Sequence, residues 1–347
     1  RSFALLRSYC GAPLTAAGEK EILAQGELMS TAMMQCLLTS RKIKSVLLPA
    51  LDYMRTLDNG EPDMPHITSH LRRLIDLDPE AQVFLTQGYI CRNDHGGVDN
   101  LKRGGSDYTA SIIGAVLDAE EIQIWTDIDG MHNNDPRYVD GTSPVRQLHF
   151  EEAAELAYFG AKILHPSCVL PAKLHNIPVR LLNTMDPHAP GTLICNASPD
   201  GTIKAIAAKD GITAIKIKSG RMLLAYGFLH KVFETFENHR TSIDMIATSE
   251  VGVTVTIDDD SRLAAIVDDL KHFGTVTVDT DMVIICVVGD LEWHNCGFEA
   301  RVLEALAGIP VRMISYGGSN YNISVVVQAG DKVAALRALS DRLFNGK

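Results

Sequence analysis

Arg103, Ser106 and Asp107 stand in the run Lys102-Arg103-Gly104-Gly105-Ser106-Asp107-Tyr108-Thr109, which combines a cation, two glycines, a serine able to cap a helix and a carboxylate. At a helix N-terminus the free amide groups and the positive end of the helix dipole favour an anion, so the run has the chemistry of a carboxylate or phosphate site. An isolated Gly-Gly-Ser could equally do no more than turn the chain and cap a helix. Other residues of matching chemistry accompany it. Thr86-Gln87-Gly88-Tyr89 and Trp125-Thr126-Asp127 fall where short apolar runs end, and in a parallel α/β sheet ligands gather at the carboxyl ends of strands. Lys162 precedes a helical stretch and can reach a phosphate as a point charge.

A chain of 347 residues is long enough for more than one domain with a core of its own. Its 46% hydrophobic and 22% charged residues are ordinary for a soluble globular protein. No stretch approaches the roughly eighteen uninterrupted apolar residues of a membrane span. The net charge of −11, without clustered Lys and Arg, argues against a nucleic-acid surface and leaves small molecules and other subunits as partners. The cysteines are scattered, with no Cys-x-x-Cys pair and no histidine at zinc-finger spacing, as expected of a cytoplasmic protein. Arg1-Ser2-Phe3 offers neither an initiator Met nor a signal-peptide pattern, so the chain is expected to start within a longer protein.

The elements that must position these residues alternate in type. Thr15 can cap a helix whose face would carry Ile22, Gly26, Met29, Met33 and Leu37. Apolar runs at 45–51 and 83–90, a helix over 106–119, a strand over 122–125, helices over 150–159 and 166–175, and a strand over 178–182 follow. Strands separated by helices imply a mostly parallel sheet covered on both faces. Residues 186–201, rich in Pro and Gly, read as a linker. Beyond it one unit occurs twice. Gly227-Phe228 recurs as Gly297-Phe298, Val232 and Glu234 as Val302 and Glu304, Ile243 and Met245 as Val311 and Met313, and Val253 and Val255 as Ile323 and Val325. Helix, strand, tight turn and strand in each copy resemble the βαββαβ regulatory modules of the ACT type. The two sheets of such copies are expected to pack together or to pair with another subunit.

Gly26-Glu27-Leu28-Met29-Ser30, the Thr86–Ile90 run, Arg103–Thr109, Trp125-Thr126-Asp127, Phe159-Gly160-Ala161-Lys162-Ile163-Leu164-His165-Pro166 and the tandem tail together resemble the aspartokinases. Each motif is weak alone, but six in order across nearly the whole chain are specific. The resemblance implies a three-layer αβα amino-acid-kinase sandwich, lacking its first strands, over residues 1–185, the linker 186–201, and two ferredoxin-like ACT domains at 202–275 and 276–347, the second intertwined with the first. It implies ATP-dependent phosphorylation of the side-chain carboxylate of L-aspartate, the first step towards lysine, threonine and methionine, with Mg2+ as the counter-ion of ATP and no protein metal cluster. Arg103 would fork a substrate carboxylate, Glu27 would meet the amino group, and Tyr89, Ser106 and Asp107 would surround the same pocket. Asp107 and Lys162 are the catalytic candidates. Thr126, Asp127, Asp135, Arg137 and Lys162 would bind the nucleotide, with the loop from Asp129 to Arg137 closing over it, although Asn134 departs from the threonine usual there.

The family's opening Lys-Phe-Gly-Gly-Thr-Ser phosphate loop has no counterpart in the sequence, so this polypeptide is expected to be a poor kinase that still binds effector. In the tail the resemblance points to the lysine-inhibited type, with Met222, Gly227, Phe228, Leu229, Ser242, Asp244, Thr248, Ser249, Glu250 and Val251 as effector contacts. Acidic Asp244 and Glu250 suit a ligand with two ammonium groups, and the amides at Gly227-Phe228-Leu229 suit its carboxylate. A homodimer or larger homo-oligomer through the ACT domains is expected. The alternative is a non-catalytic amino-acid sensor. A kinase of glutamate or acetylglutamate would lack the Gly-Glu-Leu-Met-Ser helix and the tail.

Overall fold

The computed structural model describes residues 2–11, 13–160, 166–197, 202–219 and 226–345. In chain order they form α1 (Ser2–Ser8), α2 (Ala16–Ser40), β1 (Ser45–Leu48), α3 (Met64–Asp76), β2 (Val83–Thr86), β3 (Ile90–Arg92), β4 (Val98–Asn100), α4 (Gly105–Leu117) and β5 (Ile122–Thr126). Next come β6 (Gln147–His149), α5 (Phe150–Tyr158), α6 (Pro166–Leu174), β7 (Val179–Asn183) and β8 (Thr192–Cys195). The tail holds β9 (Ile203–Lys218), α7 (Phe228–Asn238), β10 (Ile246–Ser249), β11 (Gly252–Ile257), α8 (Leu263–Leu270) and β12 (Thr275–Gly289). It ends with α9 (Phe298–Ala305), β13 (Met313–Ser315), β14 (Asn322–Gln328) and α10 (Lys332–Ser340). Two compact units result, one of residues 1–127, 164–184 and 193–196, the other of 128–163, 185–192 and 197–347. Among the described residues no helix is long and apolar enough to cross a membrane.

In the first unit β1 runs parallel to β2, and β5 parallel to β7. Thr86 and Thr126 end their strands, β2 stopping short of the end of the apolar run 83–90 and β5 reaching one residue beyond 125. Thr15 caps α2 by accepting from the Gly18 amide at 3.1 Å. The face of α2 is not the expected one. Met33 and Leu37 are 71% and 49% exposed, whereas Ala24 is buried and Leu28 packs on the core with it. Polar anchors choose that face: Gln87 Nε2 donates to Thr31 Oγ1 at 2.7 Å, and Gln35 Nε2 to the Ser45 carbonyl at 3.1 Å. The apolar run 45–51 is a strand followed by a short 3-10 turn, Ala50–Asp52. Helix α3, which the sequence reading passes over, starts at Asp63, whose Oδ1 accepts from the His66 amide at 3.1 Å and whose Oδ2 pairs with Arg55. It buries Ile67 and Leu71 beside Tyr53, Met54, Ile112 and Val116.

The tail is one sheet rather than two packed against each other. Its strand order is β10-β11-β9-β12-β14-β13, and the long β9 and β12 pair antiparallel along their whole length. Both bend near the middle, at Gly211 and Asp281, which each take positive φ and coincide with the register shift of the ladder. The bend divides the work. Residues 212–218 of β9 pair with β11, and residues 203–208 pair with the stretch of β12 that also holds β14. Each repeat thus receives a strand from beyond its own stretch of sequence. Two cores sit on this sheet. One gathers Ile215, Phe228, Val232, Phe236 and Val255, the other Ile285, Val302, Val325, Leu336 and Leu339.

Gly289 closes the β9–β12 ladder against Ile203, and a Cβ there would stand 2.2 Å from the Thr202 carbonyl oxygen and 2.7 Å from the Ile203 Cα. Both obstacles are backbone, so they cannot rotate away. Gly289→Ala is expected to destabilise the tail by about 1–3 kcal/mol. The control Gly308→Ala, with nothing within 4 Å, should stay within about 0.5 kcal/mol in the same denaturant titration.

Candidate functional site

Helix α4 begins one residue earlier than the sequence suggests, and its cap is a glycine. Gly104 takes the left-handed conformation at φ 71°, Gly105 is the first helical residue, and no side chain caps the helix, so Ser106 lies inside the first turn. The reason is crowding. A Cβ on Gly105 would stand 2.8 Å from the Tyr89 ring, and one on Gly88 3.0 Å from Ser106. The two glycines let the loop after β2 touch the helix start. Tyr89, itself at φ 68°, donates its amide to Thr109 Oγ1 at 3.1 Å and accepts from the Leu101 amide at 2.8 Å. Tyr89 and Ser106 therefore meet at one helix N-terminus. The helix runs to Leu117 and stops at Asp118, again with positive φ.

Two charges at this point have no internal partner among the described residues. Arg103 is exposed, and its guanidinium makes no hydrogen bond or ion pair. Asp107 is half-buried, and burial alone pushes its carboxyl above the usual carboxylate range. A carboxylate desolvated in this way gains from any cation brought to it. Glu27 sits half-buried on α2. Its carbonyl accepts from Thr31 Oγ1 at 2.7 Å, and Thr31 in turn holds Gln87, two residues before Tyr89. A cation, a half-buried carboxylate and open helix amides at one helix start have the chemistry to hold a ligand that carries both charges.

Thr126 closes β5 and accepts from the Thr184 amide at 2.8 Å, and Asp127 beside it is exposed. Asp135 and Arg137 belong to the second unit, where they pair with each other. Arg137 Nη2 lies 2.6 Å from Asp135 Oδ2, and this bonding holds the Asp135 carboxyl below its usual range. Their loop is held by the start of β8 and by the tail. Asp129 Oδ1 accepts from the Gly191 amide at 3.0 Å and the Met131 amide donates to Thr192 Oγ1 at 2.9 Å. Ile206 of β9 donates its amide to the Asn133 carbonyl at 2.9 Å. Asn134, 2% exposed, donates to the Leu336 carbonyl of α10 at 3.2 Å, and Arg337 Nε to the Tyr138 carbonyl at 3.1 Å. Val139 lies in the same core as Leu336 and Leu339. Asn134, noticed in the sequence only as a departure from the usual threonine, is the anchor of this loop. Lys162 lies outside the described residues.

In the tail, Gly227 takes φ 80° and opens α7 without a side-chain cap, leaving the first-turn amides available. Phe228 turns into the core and Leu229 is partly exposed. Thr248 and Ser249 end β10 at the sheet edge, and Ser242, Glu250 and Val251 are exposed. Asp244 departs from expectation. It does not stand free for a ligand: its Oδ1 lies 2.6 Å from Lys209 Nζ and accepts from Tyr158 Oη at 2.9 Å. Lys209 and Tyr158 are partners that sequence reading missed, and nothing local in the sequence marks them. Met222 lies outside the described residues. The one carboxylate and imidazole cluster of metal-ligating type among the described residues, Asp58, Asp94 and His95, lies at the surface.

Residues 7–183 match the amino acid kinase family, and residues 285–343 match the ACT domain. The chain is 33% identical to lysine-sensitive aspartokinase 3 of Escherichia coli over 93% of its length and 75% of that protein. It is 36% identical to chloroplastic aspartokinase 3 of Arabidopsis thaliana, over 95% of the chain and 62% of the plant protein. Among solved structures, E. coli aspartokinase III in complex with aspartate and ADP superposes with a TM-score of 0.86 at 33% identity, covering 99% of this chain and 79% of the other. The same enzyme in complex with lysine and aspartate gives 0.78 at 34% identity over the same shares.

Removing the Asn134 anchor leaves the buried Leu336 carbonyl without that donor. Asn134→Ala is expected to lower stability by about 1–3 kcal/mol. It should also speed hydrogen exchange of the Tyr138 and Val139 amides, which both donate to the Asp135 carbonyl. Unchanged protection at those amides would show that the loop holds itself.

Proposed function

The chain belongs to the aspartokinase family of phosphotransferases, and from that premise we propose that it binds L-aspartate at the N-terminus of α4. The residues assigned to the nucleotide are Thr126, Asp127, Asp135, Arg137 and Lys162. In the reaction a side-chain carboxylate oxygen of aspartate forms a bond to the γ-phosphorus of ATP as the bond to the bridging oxygen of ADP breaks, giving 4-phospho-L-aspartate. Such a transfer asks the protein chiefly to position its reactants and to neutralise their charge. Arg103 pairs with the carboxylate of the bound amino acid. Glu27 and Asp107 take its ammonium, and Asp107 gains the cation that burial makes it favour. Mg2+ comes with the nucleotide, held by phosphate oxygens and water, and the exposed oxygen donors of Asp127 suit a water-mediated contact with it.

The observation that carries this reading is the pair of unpartnered charges, Arg103 and half-buried Asp107, at an uncapped helix start. The tail is read as the seat of feedback by lysine, taken by the α7 amides, Ser242, the 248–251 turn and exposed Glu250. Asp244 contributes once its own partner is accounted for. Two copies of the chain joined through the ACT repeats form the regulated unit.

Calorimetric titration separates these parts. L-Aspartate is expected to bind the native chain, about tenfold or more weakly after Arg103→Ala, and more weakly after Asp107→Asn. L-Lysine is expected to bind, and L-threonine not. Aspartate binding that ignores Arg103 would remove the substrate site from α4, and threonine binding without lysine would reassign the effector.

A further inference from the structure

The first repeat of the tail buries a carboxylate that is only half satisfied. The Asp244 side chain is 1% exposed, and its Oδ1 receives both Lys209 Nζ, at 2.6 Å, and Tyr158 Oη, at 2.9 Å. Its Oδ2 is fully buried and accepts no hydrogen bond from any described group. A buried acceptor left in this state is costly, and a second donor is favoured there, a cation above all. Lys209 has other places to go. Its ammonium also meets Asp258 Oδ2 at 2.8 Å and lies 4.6 Å from the centre of the Tyr158 ring. On leaving Asp244 it can keep one carboxylate and one aromatic face.

The second repeat supplies the comparison. The Arg312 amide donates to the Val326 carbonyl as the Asp244 amide donates to Thr256, both at 2.8 Å, so the two residues hold equivalent places. Lys209 precedes Ile212 by three residues as Asp279 precedes Met282, and Ile212 and Met282 are ladder partners. The ion pair recurs with its charges exchanged: Arg312 Nε lies 2.6 Å from Asp279 Oδ2. Only the first repeat presents an acid at this position.

We propose that Lys209 is a tethered ammonium occupying the acidic subsite of the effector site, and that an ammonium-bearing effector binds by taking its place on Asp244. Arg312 closes the equivalent place of the second repeat to the same ligand. The inference rests on the reading of the tail as a lysine-binding module. Calorimetry of L-lysine with the native chain and with Lys209→Met, Lys209→Gln and Lys209→Arg tests it. The Met and Gln variants, without the competing charge, are expected to bind lysine about tenfold more tightly than the native chain. The Arg variant, which keeps a cation there, should bind as the native chain does, with no more than one lysine per chain throughout. Binding by the Met or Gln variant with none by the native chain supports the same competition. Native binding with equal or weaker binding by both neutral variants, each shown folded by its thermal transition, overturns the tethered ammonium and leaves the effector reading standing. Two lysines per chain overturn the closing role of Arg312, and binding by none of the proteins overturns both readings.

Discussion

The antiparallel pairing of β9 with β12 is the constraint on which the second unit depends. Each strand serves both repeats, so neither repeat can complete its sheet without the other. The bend at Gly211 and Asp281 makes this possible, because each strand changes neighbours at that point while the ladder continues. The apolar side chains of Ile212–Ile217 and Met282–Val288 are buried almost without exception, and burial at about 25 cal/mol per Å² makes this stretch the main source of the unit's cohesion. A sheet assembled in this way resists the loss of one repeat alone. It also carries, on β9 and β12, one member of each of the two ion pairs, Lys209 with Asp244 and Asp279 with Arg312, that distinguish the repeats chemically.

Burial opposes the charges of the first pair. It pushes the Asp244 carboxyl upward, while the two carboxylates beside Lys209 outweigh the burial of its ammonium and hold it protonated above the usual lysine range. An ion pair of this kind contributes little net stability, because desolvation of each charge offsets their attraction. Its value lies in specificity. An acid that must stay buried and charged selects a cation, whether the cation is carried by the chain or by a ligand.

Sequence patterns revealed what is decided locally. The Thr15 cap, the strand ending beside Thr126 and the helix start after Gly227 could be read because their causes lie within a few residues, whereas the glycine opening of α4 depends on Tyr89, packed against it from another loop. The face of α2 could not. Its apolar residues offer more than one stripe, and the choice is made by Gln87 and Ser45, polar partners brought in by the fold. Asp244 is the sharper case. It looks like a free acid in the sequence because Lys209 and Tyr158 lie 35 and 86 residues away. The repeat is visible in the residues themselves, whereas the intertwining of its copies is an expectation of the resemblance alone, since burial patterns name the face of a strand and not its neighbour.

The loop from Asp129 to Arg137 shows what such distant partners do. Met131 is its one buried apolar side chain, and the rest of its order is borrowed. Asn134 hangs from α10, 202 residues away, Tyr138 is held by Arg337 and lies 4.3 Å from the Lys332 ammonium, and Val139 is packed among tail residues. Lys332 also pairs with Asp210 at 2.7 Å, next to Lys209 in the chain. The carboxylate and guanidinium of Asp135 and Arg137 are therefore positioned by β9 and by α10, which shares a core with the tail sheet. Close-packed interiors transmit displacement rather than absorb it. A shift of β9 at Lys209 has a continuous path of packed and hydrogen-bonded groups to this loop, through Asp210, Lys332 and Tyr138.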